Sequence, residues 1–375
     1  MNILILFTQP WKTGGAETHV EALLKGLSQY NIFLAVNQGS NLDKLAYLKK
    51  TYTNVHITII QARGFNLFKW HDSLQKLKDL IKRYDINIIS AQQRTAGIWA
   101  WYLSRSTAIK YTVTMHDPWH RAKFKHLYPR IFPEIFTVSS NLANILYNEY
   151  GFKKDSVTII NNGIDFSLFK PLDKILARKR LSLSPDAKLI VHVSRLSSIK
   201  GAVSLALIDA LTNLAQASIY YQLIIIGEGP LRERIEEKAH LFNSTYGNWI
   251  TVKDFTPQIA LWYNACDILI GEGRVAIEAL ACEKPVIAIR NNKSFLGLIT
   301  KENIAYACAV NFDAQDQIAN SANISREINN AFNLPADDSK NIALYLKNNL
   351  SIDKMTDAYL CIFKKLLHDK KNFIN

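Results

Sequence analysis

Short runs of consecutive apolar residues alternate along the chain with longer amphipathic stretches, and that alternation predicts most of its elements. The first apolar run, 2–8, has the look of a strand buried on both faces, and after a loop Gly14-Gly15-Ala-Glu17 opens an amphipathic helix predicted to run to about Ser28. Runs of the same kind recur at 32–36, 55–60, 86–90, 109–114, 135–138 and 157–160, separated by helical patterns such as 71–84 and 142–150. Strand and helix in such alternation imply βα units around a parallel sheet. Asn161-Asn-Gly-Ile-Asp165 then brings turn chemistry, and 171–185 has the charged, irregular character of an interdomain stretch, which puts the predicted boundary near Lys170. Beyond it the pattern reads as strand 189–194, helix 201–215, strand 220–226, helix 229–240 and strand 249–252. The second half is therefore expected to be another doubly wound sheet.

The chain is organised around Gly271-Glu-Gly-Arg-Val-Ala-Ile-Glu278-Ala-Leu-Ala-Cys-Glu-Lys-Pro285-Val-Ile-Ala288, which follows the apolar run 266–270. It reads as strand, glycine turn, helix and strand again. Glycines on both sides of Glu272 allow a tight turn, and a helix starting there points unpaired N–H groups at an anion in front of it. Glu278, about one turn further on, is placed where a carboxylate can reach a sugar hydroxyl. An ordinary βαβ corner accounts for the same residues. Two other turns carry polar groups: Ser194-Arg195-Leu-Ser-Ser-Ile-Lys200-Gly201 and Gly227-Glu-Gly-Pro230. Two fixed cations, Arg195 and Lys200, at a strand's carboxyl end suit a diphosphate, with solvated loop residues as the alternative. In the first half, His116 falls just beyond the fifth strand, on the side of a parallel sheet where sites form.

Composition narrows the class. At 375 residues the chain exceeds the usual size of one core, so two domains are expected, and 48% hydrophobic with 21% charged residues describes a globular chain. The net charge of +13 is uneven: residues 1–170 hold 21 Lys and Arg against 11 Asp and Glu, and residues 171–375 hold 24 against 21. An excess of that kind favours phosphate-bearing partners or an anionic membrane face. After His116, the basic residues Arg121, Lys123, Lys125 and Arg130 interleave with Trp119, Phe124 and Tyr128, as on a surface that meets phosphates or lipid headgroups, and no nucleic-acid-binding motif accompanies them. The Rossmann fingerprint G-x-G-x-x-G is absent from the first turn, which argues against a nicotinamide dehydrogenase. Cys266, Cys282, Cys308 and Cys361 lack paired spacing, so buried, reduced thiols are expected and no metal site. Residues 1–7 lack the length and basic flank of a signal peptide, and no apolar run approaches about 20 residues, so a cytoplasmic protein is expected.

Gly14-Gly15-Ala-Glu17, His116, Asn162-Gly163-Ile-Asp165, Arg195 with Lys200-Gly201, Gly227-Glu-Gly-Pro230 and Glu278-Ala-Leu-Ala ahead of Pro285-Val-Ile-Ala288 stand in an order and spacing that resembles the retaining glycosyltransferases of family 4. The resemblance covers nearly the whole chain. It implies the GT-B architecture of two facing Rossmann-like, doubly wound α/β domains: an acceptor-side domain over 1–170 and a nucleotide-sugar domain over 171–352, with a C-terminal helix of about 353–375 packed back on the first. It implies that Gly14 and Gly15 lie against the donor diphosphate and sugar, that His116 contacts the donor sugar, and that Arg195 and Lys200 neutralise the leaving diphosphate. Glu278 would hold the nucleotide ribose, with Gly227, Glu272, Gly273, Arg274 and Val275 as further donor contacts. The family pattern has a second glutamate eight positions before Glu278, where this chain has Ile270. Its role is either dropped or taken by Glu272 or by backbone N–H groups around Gly273 and Arg274. The implied reaction moves a sugar from a nucleoside-diphosphate sugar to a glycan or lipid-linked acceptor with retention, without a cofactor or metal, and the sequence has no Asp-x-Asp pair near a phosphate turn. A GT-B isomerase of sugar nucleotides and a catalytically weak GT-B subunit that binds a partner are the alternatives.

Overall fold

A parallel strand covered by helices on both faces is apolar along its covered length, and β1 (Asn2–Pro10) is so from Ile3 to Phe7, all wholly buried. The computed structural model describes residues 1–64, 66–119, 122–215, 220–291, 294–313 and 318–368. Around β1 assemble β2 (Asn31–Asn37), β3 (Val55–Ile60), β4 (Ile88–Ala91), β5 (Lys110–Met115), β6 (Ile135–Thr137) and β7 (Val157–Ile159), in the order β3-β2-β1-β4-β5-β6-β7. Every pairing in this sheet is parallel. Strand order reverses between β1 and β4, so the connections leaving these two strands part and open a crevice at their carboxyl ends.

The second sheet contains β8 (Lys188–Val193), β9 (Tyr221–Ile226), β10 (Ile250–Lys253), β11 (Ile268–Gly271), β12 (Val286–Asn291) and β13 (Ser294–Leu298), ordered β10-β9-β8-β11-β12-β13. Here the reversal falls between β8 and β11, the two strands that precede the Arg195 loop and the Glu272 turn. β13 runs antiparallel to β12 with register shifts, an edge strand the periodicity does not predict because it is five residues long and contains Gly297 at φ +80°. The helix predicted over 229–240 spans Arg232–Tyr246.

The chain divides into one unit of Met1–Gly163 with Ile352 onward and a second of Ile164–Ser351. The first boundary falls before Lys170 because Phe169 and Ala177 already sit in the second core. The stretch read as an interdomain segment instead holds a helix, Lys174–Arg180, whose N-cap Asp173 accepts from Leu176 N at 2.6 Å. Arg178 on that helix is 2% exposed, and a buried guanidinium must be paired. It donates to Ala265 O at 3.0 Å and to Asp267 at 2.7 Å, which fastens the segment to the second unit.

The C-terminal helix, Ile352–His368, packs on the first unit, and residues 369–375 lie outside the described residues. Ile352, Met355, Tyr359, Leu360 and Phe363 join Val20, Leu23 and Phe136 in one core. Two glycines let it come close. A Cβ on Gly26 would fall 1.9 Å from Thr356 Oγ1, and one on Gly163 would fall 3.0 Å from the Ile352 Cα. Cys361 on this helix is exposed, contrary to expectation, because it faces away from that core, whereas Cys266, Cys282 and Cys308 are buried thiols. No helix among the described residues is long and apolar enough to cross a membrane.

Gly26→Ala should destabilise the first unit by about 1–3 kcal/mol, the range for overpacking a close contact. Urea unfolding followed on the first unit checks it, and a midpoint equal to that of the unsubstituted protein would show that the helix gives way freely.

Candidate functional site

In the second unit the loops after β8, β9 and β11 converge at the carboxyl edge of the sheet. Gly227 has no room for a side chain: a Cβ there would sit 1.9 Å from Ser194 O. This closeness lets Leu196 N donate to Glu228 O at 2.8 Å and Leu231 N to Leu196 O at 3.0 Å, so the turn after β9 braces the Arg195 loop. Arg195 itself is exposed, and among the described residues its side chain has no hydrogen-bond or ion-pair partner. Lys200, further along the same loop, forms an ion pair with Glu272, the N-cap residue of the helix Gly273–Ala281. Arg290 approaches the same carboxylate from the end of β12 at 3.5 Å and also pairs with Asp313. Gly273 begins the helix at φ +50°, a left-handed conformation that a side chain would strain. A carboxylate between two cations, ahead of a helix amino end, marks a seat for negative charge.

Glu278 lies inside that helix and is 7% exposed. Burial raises its pKa above the ordinary carboxylate value, and Arg274 opposes the shift. Arg274 reaches it at 3.2 Å and the Tyr263 hydroxyl donates to its other oxygen at 3.2 Å. Both oxygens are engaged from within the unit, so the residue is built into the helix packing as well as standing one turn from the anion seat. Val275, half-buried, donates its N–H to Glu272 O at 3.1 Å. Ile270, where the family pattern has a glutamate, is fully buried in β11 and cannot serve a ligand.

In the first unit, the crevice at β1 and β4 is a cleft of about 320 Å³ lined by Ala16, Arg63, Gln93, Arg94, His116 and Trp119, among others. Gly14 is the N-cap of the helix Gly15–Gly26, and among the described residues outside that turn no atom lies within 4 Å of where a Cβ on Gly15 would be. His116 Nε2 lies 3.0 Å from Gln92 Oε1, and its ring meets that of His19 edge-on at 4.7 Å. Burial holds the His116 pKa well below the ordinary imidazole value, and His19 lowers it further. It is therefore a neutral imidazole at neutral pH.

The basic, aromatic stretch after His116 is reorganised relative to the sequence pattern. Trp119 and Tyr128 turn inward, packing edge-on at 5.7 Å and against Phe132 and Tyr150, because aromatic rings of that size gain more from burial than from solvent. Phe124 and Leu127 stay exposed beside Lys123, while Lys125 pairs with Glu149. Arg121 lies outside the described residues.

Two units of this kind have counterparts among known proteins. The family described as Glycosyltransferase Family 4 matches residues 13–168, and that described as Glycosyl transferases group 1 matches residues 173–355. The chain belongs to the GT-B glycosyltransferases of the family 4 type. A D-inositol 3-phosphate glycosyltransferase 2 of Catenulispora acidiphila is 32% identical over 162 residues, 40% of this chain and 38% of that protein. A GDP-mannose-dependent alpha-(1-6)-phosphatidylinositol dimannoside mannosyltransferase of Mycobacterium tuberculosis is 31% identical over 155 residues, 40% of this chain and 39% of that protein. The match thus spans under half the length of either relative. Among solved structures, a glycosyltransferase from Rickettsia africae has a TM-score of 0.76 at 19% identity, covering 98% of this chain and 99% of that one. Anabaena HepE in complex with UDP has a TM-score of 0.73 at 18% identity, covering 98% and 100%. At these identities the likeness establishes the GT-B fold.

For this family 4 chain the sequence motifs mark Lys200, Glu272 and Gly273, which the fold brings together, and His116, which stands in the cleft of the other unit. Arg290, Asp313, Tyr263 and Gln92 carry no motif signal. Arg290 follows Pro285-Val-Ile-Ala288 closely, and a lone cation ending a buried strand was the available clue.

His192 on β8 generates a test of how tightly this edge is packed. It is 1% exposed, lies 2.9 Å through Nδ1 from Ile270 O, and burial pushes its pKa down to about 4. An unfolded imidazole titrates near 6.5, so below that pH the unfolded chain takes up a proton the folded unit refuses. The contribution is complete above pH 6.5 and is lost as the pH falls toward 4, on the order of 3 kcal/mol. His192→Asn should flatten that part of the acid loss in second-unit unfolding between pH 7 and pH 4.5; parallel curves for the two proteins would rule it out.

Proposed function

We propose that the protein moves a sugar from a nucleoside-diphosphate sugar to a glycan or lipid-linked acceptor, with retention of anomeric configuration, in cell-surface polysaccharide or glycolipid synthesis. The observation that carries this reading is the anion seat in front of Gly273, where Lys200 and Arg290 already hold a carboxylate and Arg195 stands exposed on the same loop. Departure of a nucleoside diphosphate from an anomeric carbon builds negative charge on the leaving phosphate, and preorganised cations and N–H dipoles stabilise that charge more in the transition state than in the ground state. Arg195 as a bidentate fork and Lys200 as a point charge would supply it from side chains, without a metal. Gly227, Gly273, Arg274 and Val275 would line the donor, and Glu278 would offer an oxygen to the ribose. Gly14, Gly15 and His116 would meet the diphosphate and the sugar. A neutral His116 suits a hydrogen bond to a sugar hydroxyl. The inositol-phosphate and phosphatidylinositol glycosyltransferase names of the relatives support a polar acceptor that carries phosphate.

Turnover of a panel of nucleotide sugars, read by mass spectrometry, tests the reading. Lys200→Ala and Arg195→Ala should each lower turnover of the accepted donor by about a hundredfold, the range for losing one transition-state contact. Glu272→Gln removes the carboxylate that occupies the seat, so it should tighten binding of the free nucleoside diphosphate in calorimetry if Glu272 only competes with the donor. Weaker turnover with unchanged nucleotide affinity would instead assign Glu272 to the sugar. Turnover of the Lys200 variant within a factor of two of the unsubstituted protein sinks the leaving-group role.

A peripheral membrane location on the cytoplasmic side belongs to the same proposal. It rests on exposed Phe124 and Leu127 beside Lys123 and Lys125, in the half of the chain with the larger positive excess. Each basic residue near an anionic surface contributes about 1 kcal/mol, weakened by salt. The protein should co-sediment with vesicles rich in anionic lipid at low salt, and a variant with Arg121, Lys123, Lys125 and Arg130 changed to Ser should not. Equal pelleting of the two proteins would show that another surface, or none, meets the bilayer.

A further inference from the structure

A chain of buried polar side chains runs through the first unit from the Asn162-Gly163 turn to the cleft. Asn162 Oδ1 lies 2.9 Å from His19 Nδ1, and His19 Nε2 lies 2.9 Å from the Tyr359 hydroxyl. Tyr359 comes from the C-terminal helix, far along the chain, and its hydroxyl also meets Thr114 Oγ1 at 3.0 Å and the side chain of Gln92. Gln92 donates to Ser90 Oγ at 2.8 Å and bonds His116 Nε2 through Oε1 at 3.0 Å. His19, Tyr359, Thr114 and Gln92 are each 0–1% exposed, so their bonds cannot be exchanged for water.

Burial couples the direction of each bond to that of its neighbours, and the Asn162 oxygen facing His19 sets the direction of all of them. An amide oxygen only accepts, so Asn162 requires the proton of His19 on Nδ1, which leaves Nε2 as a lone pair. That lone pair takes the Tyr359 proton. The Tyr359 oxygen must then accept, from Thr114 and from the Gln92 amide nitrogen, and this holds the amide with its oxygen toward His116. His116 must in turn carry its proton on Nε2 and keep Nδ1 as an acceptor. Reversing any one member would set two donors or two acceptors face to face in a site without solvent, at a cost of about 1–3 kcal/mol per unsatisfied group.

We propose that Tyr359 is a positioning residue for His116: through Gln92 and His19 its hydroxyl fixes the His116 tautomer, so that the C-terminal helix completes a site whose other members come from the first 162 residues. The two close approaches at Gly26 and Gly163 hold the helix at the depth this requires. Tyr359 touches no substrate. The effect on turnover rests on the reading of His116 as a donor contact, whereas the effect on the tautomer does not.

The test uses the full chain with ¹⁵N-labelled histidine, and long-range ¹H–¹⁵N correlation spectra assigned with His116→Asn. In the unsubstituted protein His116 should show the shifts of a single Nε2–H tautomer. Tyr359→Phe keeps the ring that packs on Phe136 at 4.8 Å and removes only the hydroxyl. The two His116 nitrogens should then move toward averaged values, and kcat should fall about tenfold or more with KM within about twofold, as for loss of an orienting partner. Asn162→Ala, at the far end of the chain, should produce the same averaging, which keeps the question open to experiment if Tyr359→Phe does not fold. Leu360→Ala, which weakens the packing of the same helix through an apolar residue outside the hydrogen-bonded chain, should leave His116 unchanged. A His116 tautomer unaltered in both Tyr359→Phe and Asn162→Ala, or altered equally by Leu360→Ala, overturns the proposal. Absence of turnover with every nucleotide sugar, beside the expected shift in tautomer, overturns the proposed reaction and leaves the positioning role standing.

Discussion

A parallel sheet covered on both faces leaves only the ends of its strands open, and His116, Arg195, Lys200 and Glu272 follow such ends. From Ile3 to Phe7 on β1 and from Leu189 to Val191 on β8 both faces are apolar and buried, so that length of each sheet offers no open site. Strand order reverses at β1/β4 in one unit and at β8/β11 in the other, and adjoining loops there diverge. His116 follows β5, next to β4; Lys200 follows β8 and Glu272 follows β11. Two copies of one packing constraint thus yield two strand-end sites of different chemistry. The first is rich in hydrogen-bonding amides and a neutral imidazole, and the second in ion pairs.

Ion pairs at the second edge are arranged around a helix amino end that stays short of negative charge. Glu272 is the N-cap residue, yet its side chain makes no capping hydrogen bond. Its carboxylate turns to Lys200 and Arg290 instead. Exposed ion pairs contribute little to stability, because water competes for both partners. A partly exposed cluster of this kind therefore costs little to open, and a ligand with more negative charge than one carboxylate gains more from the same cations and the same helix dipole. In the proposed reaction the pairing would serve as a resting state for cations that meet the donor's phosphates.

The parallel strands and the glycine turns were legible in the sequence because both depend on local rules: apolar runs for buried strands, and glycine where backbone meets backbone. Gly227 against Ser194 O and Gly273 at φ +50° are cases where the residue type states its geometry outright. Residues 171–185 were misread because a charged stretch looks solvent-borne until its cation finds a buried partner, as Arg178 does in Asp267. Trp119 and Tyr128 read as surface aromatics for a similar reason. Alternation with basic residues describes the order of side chains along the chain and not which way a non-repetitive segment turns them.

The partners of Arg290 and Tyr359 lay beyond reach for a different reason. Each acts through a contact that only the closed fold creates, and the bond between His19 and Tyr359 spans 340 residues of sequence. No periodicity encodes such a pair. What the sequence does hold is the condition that makes the pair possible, since Gly26 and Gly163 allow the C-terminal helix to approach where a larger residue would keep it away. A buried hydroxyl with three polar neighbours also has no cheaper arrangement: substituting any neighbour with an apolar side chain strands at least one of the others. The network is therefore held together by the cost of breaking it more than by the strength of any one bond. That is the property required of a group that must keep one imidazole tautomer fixed beside an open cleft.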